Sequence, residues 1–255
     1  MPAPTVETGV APLLSGRALR LLASALALAV LPILIVGHTG IDLWLADLMF
    51  DFRTHEFPWQ NAWLTDRFGH GILKTILTVL GALPIAAAIW DLLRRGKSLP
   101  LWWQLRVRLL ALCTALIPLV VSLLKRASHS HCPWDLERYG GYQPYYHLLE
   151  HMPRWVEAGH CLPGGHASSA LWMVGLAVFW LPHDVRKAAA VAGWALMFGG
   201  LVGWMQQMRG AHFLSHTLWS MWIASAILLA LLAAHRAWLL SARARPGTAP
   251  HRVAN

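Results

Sequence analysis

Three polar runs interrupt an otherwise apolar chain. They are Lys125-Arg126-Ala127-Ser128-His129-Ser130-His131-Cys132-Pro133-Trp134-Asp135, Cys161-Leu162-Pro163-Gly164-Gly165-His166-Ala167-Ser168-Ser169, and Gln206-Gln207-Met208-Arg209-Gly210-Ala211-His212-Phe213-Leu214-Ser215-His216. Their residue types suit work on an anion. Lys125 is long enough to leave hydrocarbon and reach a headgroup. Pro163-Gly164-Gly165-His166 reads as the opening of a helix, where glycine admits close approach of the backbone and free N–H groups point at an anion. His166 then stands at the rim of that site. His212 and His216, four apart, share a helix face, so one ring can orient the other. Arg209, three before His212, belongs to the same face. The sum is a cationic pocket with a nucleophile or base, an acid and an anion cradle. Phosphoryl transfer is mostly positioning and charge stabilisation, so these are suitable parts for it.

Those runs must be positioned by membrane helices. Of 255 residues, 56% are hydrophobic and 13% charged, and mean hydropathy is +0.47. Soluble chains carry about 25% charged residues, so a soluble enzyme, a disordered chain and a coiled coil are all poor fits. A span needs about 20 apolar residues. Six candidates follow, at 19–37, 71–90, 107–124, 167–181, 188–207 and 217–235, the fourth being short and extending back toward Gly164. The expected fold is all-α: a polytopic six-helix membrane bundle over 19–240, with its active site on the outer face. Residues 1–18 form a cytoplasmic N-terminus, 241–255 a disordered cytoplasmic tail, and 38–70, 125–166 and 208–216 are external loops. The first span follows Arg17 and Arg20 and reads as a retained anchor. Ile41, Leu45 and Leu48, spaced helically in the first loop, suggest an interfacial helix.

Charge sets the orientation. The side carrying both termini holds thirteen Lys and Arg against three acids (Glu7, Asp91 and Asp184), and the other side eight against nine. Basic loops stay in the cytoplasm, so the net charge of +9 needs no nucleic acid to explain it. Histidine sorts the opposite way: all but His183, His235 and His251 of the 14 are external. Since histidine exchanges protons near neutral pH, any chemistry belongs on the outer face.

Taken singly, these features have plainer readings. Lys125 and Arg126 suit interfacial anchors, Pro163-Gly164-Gly165 suits a turn, and His212 and His216 suit packed core residues. His129, His131, His147, His151 and His160 read as loop residues. The joint occurrence of the three runs, in this order, is what is specific. In that order they resemble the type 2 phosphatidic acid phosphatase (PAP2) superfamily, whose pattern is Lys-x6-x-Pro, Pro-x-Gly-His, then Arg-x5-His-x3-Asp. The runs CPWDLERYGG and RGAHFLSH are similar to those of a bacterial membrane branch of it. The resemblance implies six helices and a metal-independent phosphoric ester or diphosphate hydrolase with no cofactor. It makes Lys125 a phosphate ligand, His166 the acid for the leaving oxygen and His212 the nucleophile. Pro133, Pro163 and Gly165 match. Cys132 stands where the family has arginine, Gly164 replaces serine, Gln206 takes a second arginine position and His216 takes the aspartate position. Arg126 and Arg209 are then expected to substitute from neighbouring places, with Gly164 and Gly165 N–H groups beside them, and Asp135 is a candidate carboxylate for His212.

Cys132 and Cys161 flank the long loop on the side where disulfides persist in a bacterial periplasm. A bridge between them would join the first two runs and account for cysteine in place of arginine.

The expected function is hydrolysis of a membrane lipid phosphate or pyrophosphate (undecaprenyl pyrophosphate, phosphatidic acid or lipid A type) through phosphohistidine. The setting is the bacterial inner membrane, multi-pass, with a periplasmic site, cytoplasmic termini, the bilayer and its lipid as the partners, and no obligate protein partner. One alternative is a lipid A phosphotransferase using a polyprenyl pyrophosphate donor. Others are a non-catalytic lipid-binding protein and a metal- or haem-binding protein built on the external histidines.

Overall fold

The computed structural model describes residues 11–148 and 150–244. Among them every regular element is a helix, and pairing between extended segments is confined to two isolated bridges. The first apolar rod, Gly16–His38, is two helices, α1 (Gly16–Leu28) and α2 (Val30–His38). Ser15 caps its start by accepting the Ala18 N–H. The break has a cause in the sequence: the Pro32 ring has no N–H and crowds the carbonyl four residues back, that of Leu28, where α1 stops. A short helix, α3 (Ile41–Asp47), follows. Of its expected apolar stripe, Ile41 and Leu48 are exposed and Leu45 is half-buried, while Asp42 and Ala46 turn inward and are buried.

The second rod runs Leu64–Leu93. It opens as a π-helix over Leu64–Leu73 and continues as α4 (Lys74–Leu93). Hydropathy alone put this start near 71, because Asp66, Arg67 and His70 depress it. Helix α5 (Leu101–Ala127) is the central rod and carries Lys125 and Arg126 in its last turn, where cations oppose the helix dipole favourably. After two 3₁₀ turns, Pro133–Asp135 and Glu137–Tyr139, α6 (Gly165–Leu171) passes into a 3₁₀ helix, Trp172–Phe179. Helices α7 (Val185–Met208) and α8 (Leu214–Ala244) complete the chain. Helix α8 continues past 240, where a disordered tail was expected. Residues 245–255 of that tail, and 1–10 of the N-terminal segment, lie outside the described residues.

Five helices are long and apolar enough to cross a bilayer, and Gly165–Phe179 is a shorter apolar one. Five full-length rods and this short helix thus stand at the six places the sequence reading gave, the short one at the fourth, where a short span was expected. The 3₁₀ half of the short helix rises about 2 Å per residue against 1.5 Å for α, which lengthens its reach.

The core lies between α5, α6, α7 and α8. Cys113 and Ile117 of α5, Leu171 and Val174 of the fourth segment, Ala195 of α7 and Ala224 of α8 are nearly inaccessible. Helix α4 packs on α5, and α1 and α2 on α8. Small residues set the close approaches. A side chain on Gly203 of α7 would overlap Thr217 of α8, and one on Gly199 would overlap Leu171. At the opposite end from the three polar runs, Asp91 is fully buried and paired to Arg108 at 2.8 Å.

Candidate active site

All three polar runs converge at one end of the bundle, and the start of the second rod joins them. His212 sits in the link between α7 and α8. That link doubles back: Gly210 and Ala211 N–H donate to the Gln207 and Gln206 carbonyls, both at 2.9 Å. Gly210 has φ +72 and faces the Phe57 ring, which leaves no room for a side chain. The turn swings His212 inward, where it is 3% exposed. Asp42 then caps α8 by accepting the Ser215 N–H at 3.0 Å. Burial pushes the Asp42 carboxyl up to about 6, against the opposing pull of its Ser215 hydrogen bonds.

The two histidines of the third run touch through their Nδ1 atoms, 3.4 Å apart, and His216 Nε2 lies 3.3 Å from Ser130 Oγ. An Nδ1–H on His212 donating to His216 sets a consistent chain. His216 then carries its proton on Nε2 and donates to Ser130, and the His212 Nε2 lone pair is left free. Burial, together with His216, Lys125, His166 and Arg209 around it, holds the His212 pKa well below the ordinary histidine value.

His166, at the start of α6, has its ring centroid 6.2 Å from that of His212 and 4.4 Å from that of His70. Both of its ring nitrogens are buried and lack a partner among the described residues. Lys125 Nζ reaches the same place: it lies 4.0 Å from the point where a Cβ on Gly165 would sit. Gly164 differs from expectation. Its N–H donates to the His216 carbonyl at 3.0 Å, so it is not free for an anion, and with Ser220, which donates to the Gly164 carbonyl, it ties α6 to α8.

Arg209 is buried and turned toward the second rod. Nε donates to the Gln60 carbonyl, one terminal nitrogen to Gln206 Oε1, and the other to Asp66 at 2.7 Å. Three of its five N–H groups are thereby committed and two remain. Burial lowers the Arg209 pKa, and Asp66 opposes that shift. Gln206, at the position where the family carries arginine, holds Arg209 in place, and its own Nε2 is unpartnered. Arg126 does not join the group. One residue beyond Lys125, its side chain is exposed, since successive residues on a helix point about 100° apart. Asp135 is also occupied elsewhere: its carboxylate accepts the Cys132 N–H at 3.1 Å and closes the first 3₁₀ turn.

Cys132 and Cys161 form a disulfide, and the Cys161 sulfur lies 3.3 Å from His212 Nδ1. The bridge joins the end of α5 to the start of α6 and backs the His212 ring. Among the described residues, the group of metal-ligating types that comes together is Cys132, Cys161 and His212. Both sulfurs being bonded to each other, they are not thiolate ligands. Further out, Arg138 clasps Asp47 through two hydrogen bonds and Tyr139 donates to the same carboxylate. Arg138 holds the Asp47 pKa down. This clasp seats the long loop on α3.

Sequence reasoning singled out neither His70 nor Asp66, and gave no part to Ser130 of the first run, which lies against His216. The available signal was a set of ionisable residues at the start of an apolar run, where such groups lean functional.

The family model described as PAP2 superfamily matches residues 106–239. No curated protein and no solved structure matches the chain.

Proposed function

Because the chain belongs to the PAP2 superfamily, whose members hydrolyse phosphoric esters, we propose that it is a membrane lipid phosphatase acting through a phosphohistidine. The observation that carries this reading is the facing of His212 and His166, from separate segments, at 6.2 Å across a space that Lys125 enters. His212 Nε2 attacks phosphorus and forms the N–P bond. The bond from phosphorus to the leaving oxygen breaks, and that oxygen keeps the electron pair and takes a proton from His166. Lys125, the Gly165 N–H and the two uncommitted N–H groups of Arg209 stabilise the phosphoryl oxygens. A water then gives a proton back to His166 and attacks phosphorus. The N–P bond breaks, and inorganic phosphate and neutral His212 are released. Each step is supplied by side chains, so turnover is expected to be independent of metal.

The substrate class is a lipid carrying a phosphate or diphosphate. It is supported by five apolar rods and by the exposed Ile72, Ile76 and Leu80 beside the site. The short helix counts as a sixth span in this reading. The termini then lie in the cytoplasm of a bacterial inner membrane and the site faces the periplasm, in keeping with the charge bias.

The test is phosphate release from phosphatidic acid, a polyprenyl diphosphate and lipid A by the detergent-solubilised chain. His212→Ala is expected to lose on the order of a thousand-fold or more, and His166→Ala about a hundred-fold or more. EDTA should leave the rate unchanged. Full turnover by His212→Ala would overturn the mechanism. Radiolabel arriving in a second lipid instead of free phosphate would make the protein a phosphotransferase.

A further inference from the structure

We infer that His70 and Lys74, on the second rod and outside the residues the family model matches, bind the leaving group of the substrate, and that this leaving group is itself a phosphate, so the preferred substrate is a lipid diphosphate. This deepens the phosphatase reading and rests on it.

His166 neighbours two other imidazoles. His212 to His166 is 6.2 Å and His166 to His70 is 4.4 Å between ring centroids. In-line displacement puts the attacking and leaving atoms on opposite sides of phosphorus. With attack from His212 and the proton from His166, whatever the leaving oxygen carries lies on the His166 side of phosphorus, within reach of the His70 ring, 4.4 Å from that of His166. Lys74 is four residues further along the same rod, near the same face. It opens α4 at the end where Lys125 closes α5, and those two helices pack on each other. His70 and Lys74 are exposed, hence accessible to a ligand.

The charge count points the same way. Arg209 is already paired with Asp66, whereas neither Lys74 nor Lys125 enters a salt bridge among the described residues. An ammonium acting only as an interfacial anchor gains nothing from crowding a second one. Two ammonium groups borne by packed helices at this one end of the bundle suit an anion with charge at two centres. A neutral alcohol as leaving group would give His70 and Lys74 nothing to hold. The phosphate of a departing lipid monophosphate would take both, and its tail would run along the exposed Ile72 and Ile76 of the same rod.

The test compares initial rates on farnesyl diphosphate and farnesyl monophosphate, using the full chain in detergent, for wild type, Lys74→Gln, His70→Gln and Lys74→Arg. Diphosphates have the better leaving group in any enzyme, so the readout is the ratio of kcat/KM values for the two lipids and its change. Lys74→Gln is expected to lower that ratio about ten-fold, as loss of one charge-assisted contact should. His70→Gln should lower it several-fold, and Lys74→Arg should restore it. Inhibition by inorganic diphosphate relative to inorganic phosphate should weaken in parallel, which separates binding from any folding defect. An unchanged ratio in Lys74→Gln and His70→Gln, with His212-dependent turnover of both lipids, overturns the inference and leaves the phosphatase reading standing. No phosphate release from either lipid by the wild-type chain overturns both.

Discussion

His212 differs from a surface histidine in its burial and in its company of cations. Both disfavour imidazolium, so the neutral ring persists below the ordinary value of 6.5. The acid limb of kcat/KM for this group is therefore expected below pH 6.5. The sign for stability follows. The unfolded chain binds this proton near 6.5 while the folded chain refuses it, so stability is lost as pH falls from 6.5 toward the folded pKa. His216 is a neutral partner where the family has a carboxylate. His216→Asp would put a negative charge beside His212 and favour imidazolium. Its acid limb should move up in pH relative to wild type, read from a pH–rate profile. A limb that stays in place would mean that His216 does not govern the His212 proton.

Among the elements, α3 acts as a capping device for the helix that bears His216. Asp42 accepts the Ser215 N–H at 3.0 Å, and losing such a cap costs about 1 kcal/mol. Asp42→Ala is expected to lower the thermal midpoint followed by tryptophan fluorescence, and Asp42→Asn, which keeps an acceptor, to lower it less. The Asp42 pKa is raised to about 6. Its contribution to stability is thus full below about pH 4 and is lost as pH rises toward 6, the reverse of the His212 trend, and Asp42→Asn should abolish that part of the profile. These elements were unevenly legible in the sequence. The long rods could be read because each carries a sustained apolar run, and Lys125, His166, His212 and His216 because their spacing fits turns and helix faces. The π-helical start of the second rod was hidden by its own Asp66, Arg67 and His70. The Asp66–Arg209 pair spans 143 positions, so no local pattern announces it. Arg126 was misjudged because adjacency in sequence is not adjacency on a helix.

At the scale of the whole molecule, the charge bias and the position of the site make one topological statement. In the proposed orientation, residues of the 94–98 turn lie on the cytoplasmic side and the long loop on the other. Cys113 is buried and the other two cysteines are bridged, so a new exposed cysteine reports cleanly. A membrane-impermeant maleimide is expected to label Tyr142→Cys in intact spheroplasts, and Ser98→Cys only after lysis. The reverse pattern would invert the proposed orientation. The bridge itself carries a biological corollary. In the proposed mechanism His212 is the nucleophile and the bridge props its ring from behind, so polypeptide kept among cytosolic reductants is expected to insert its helices yet lack that brace, and turnover to start only where thiols are oxidised.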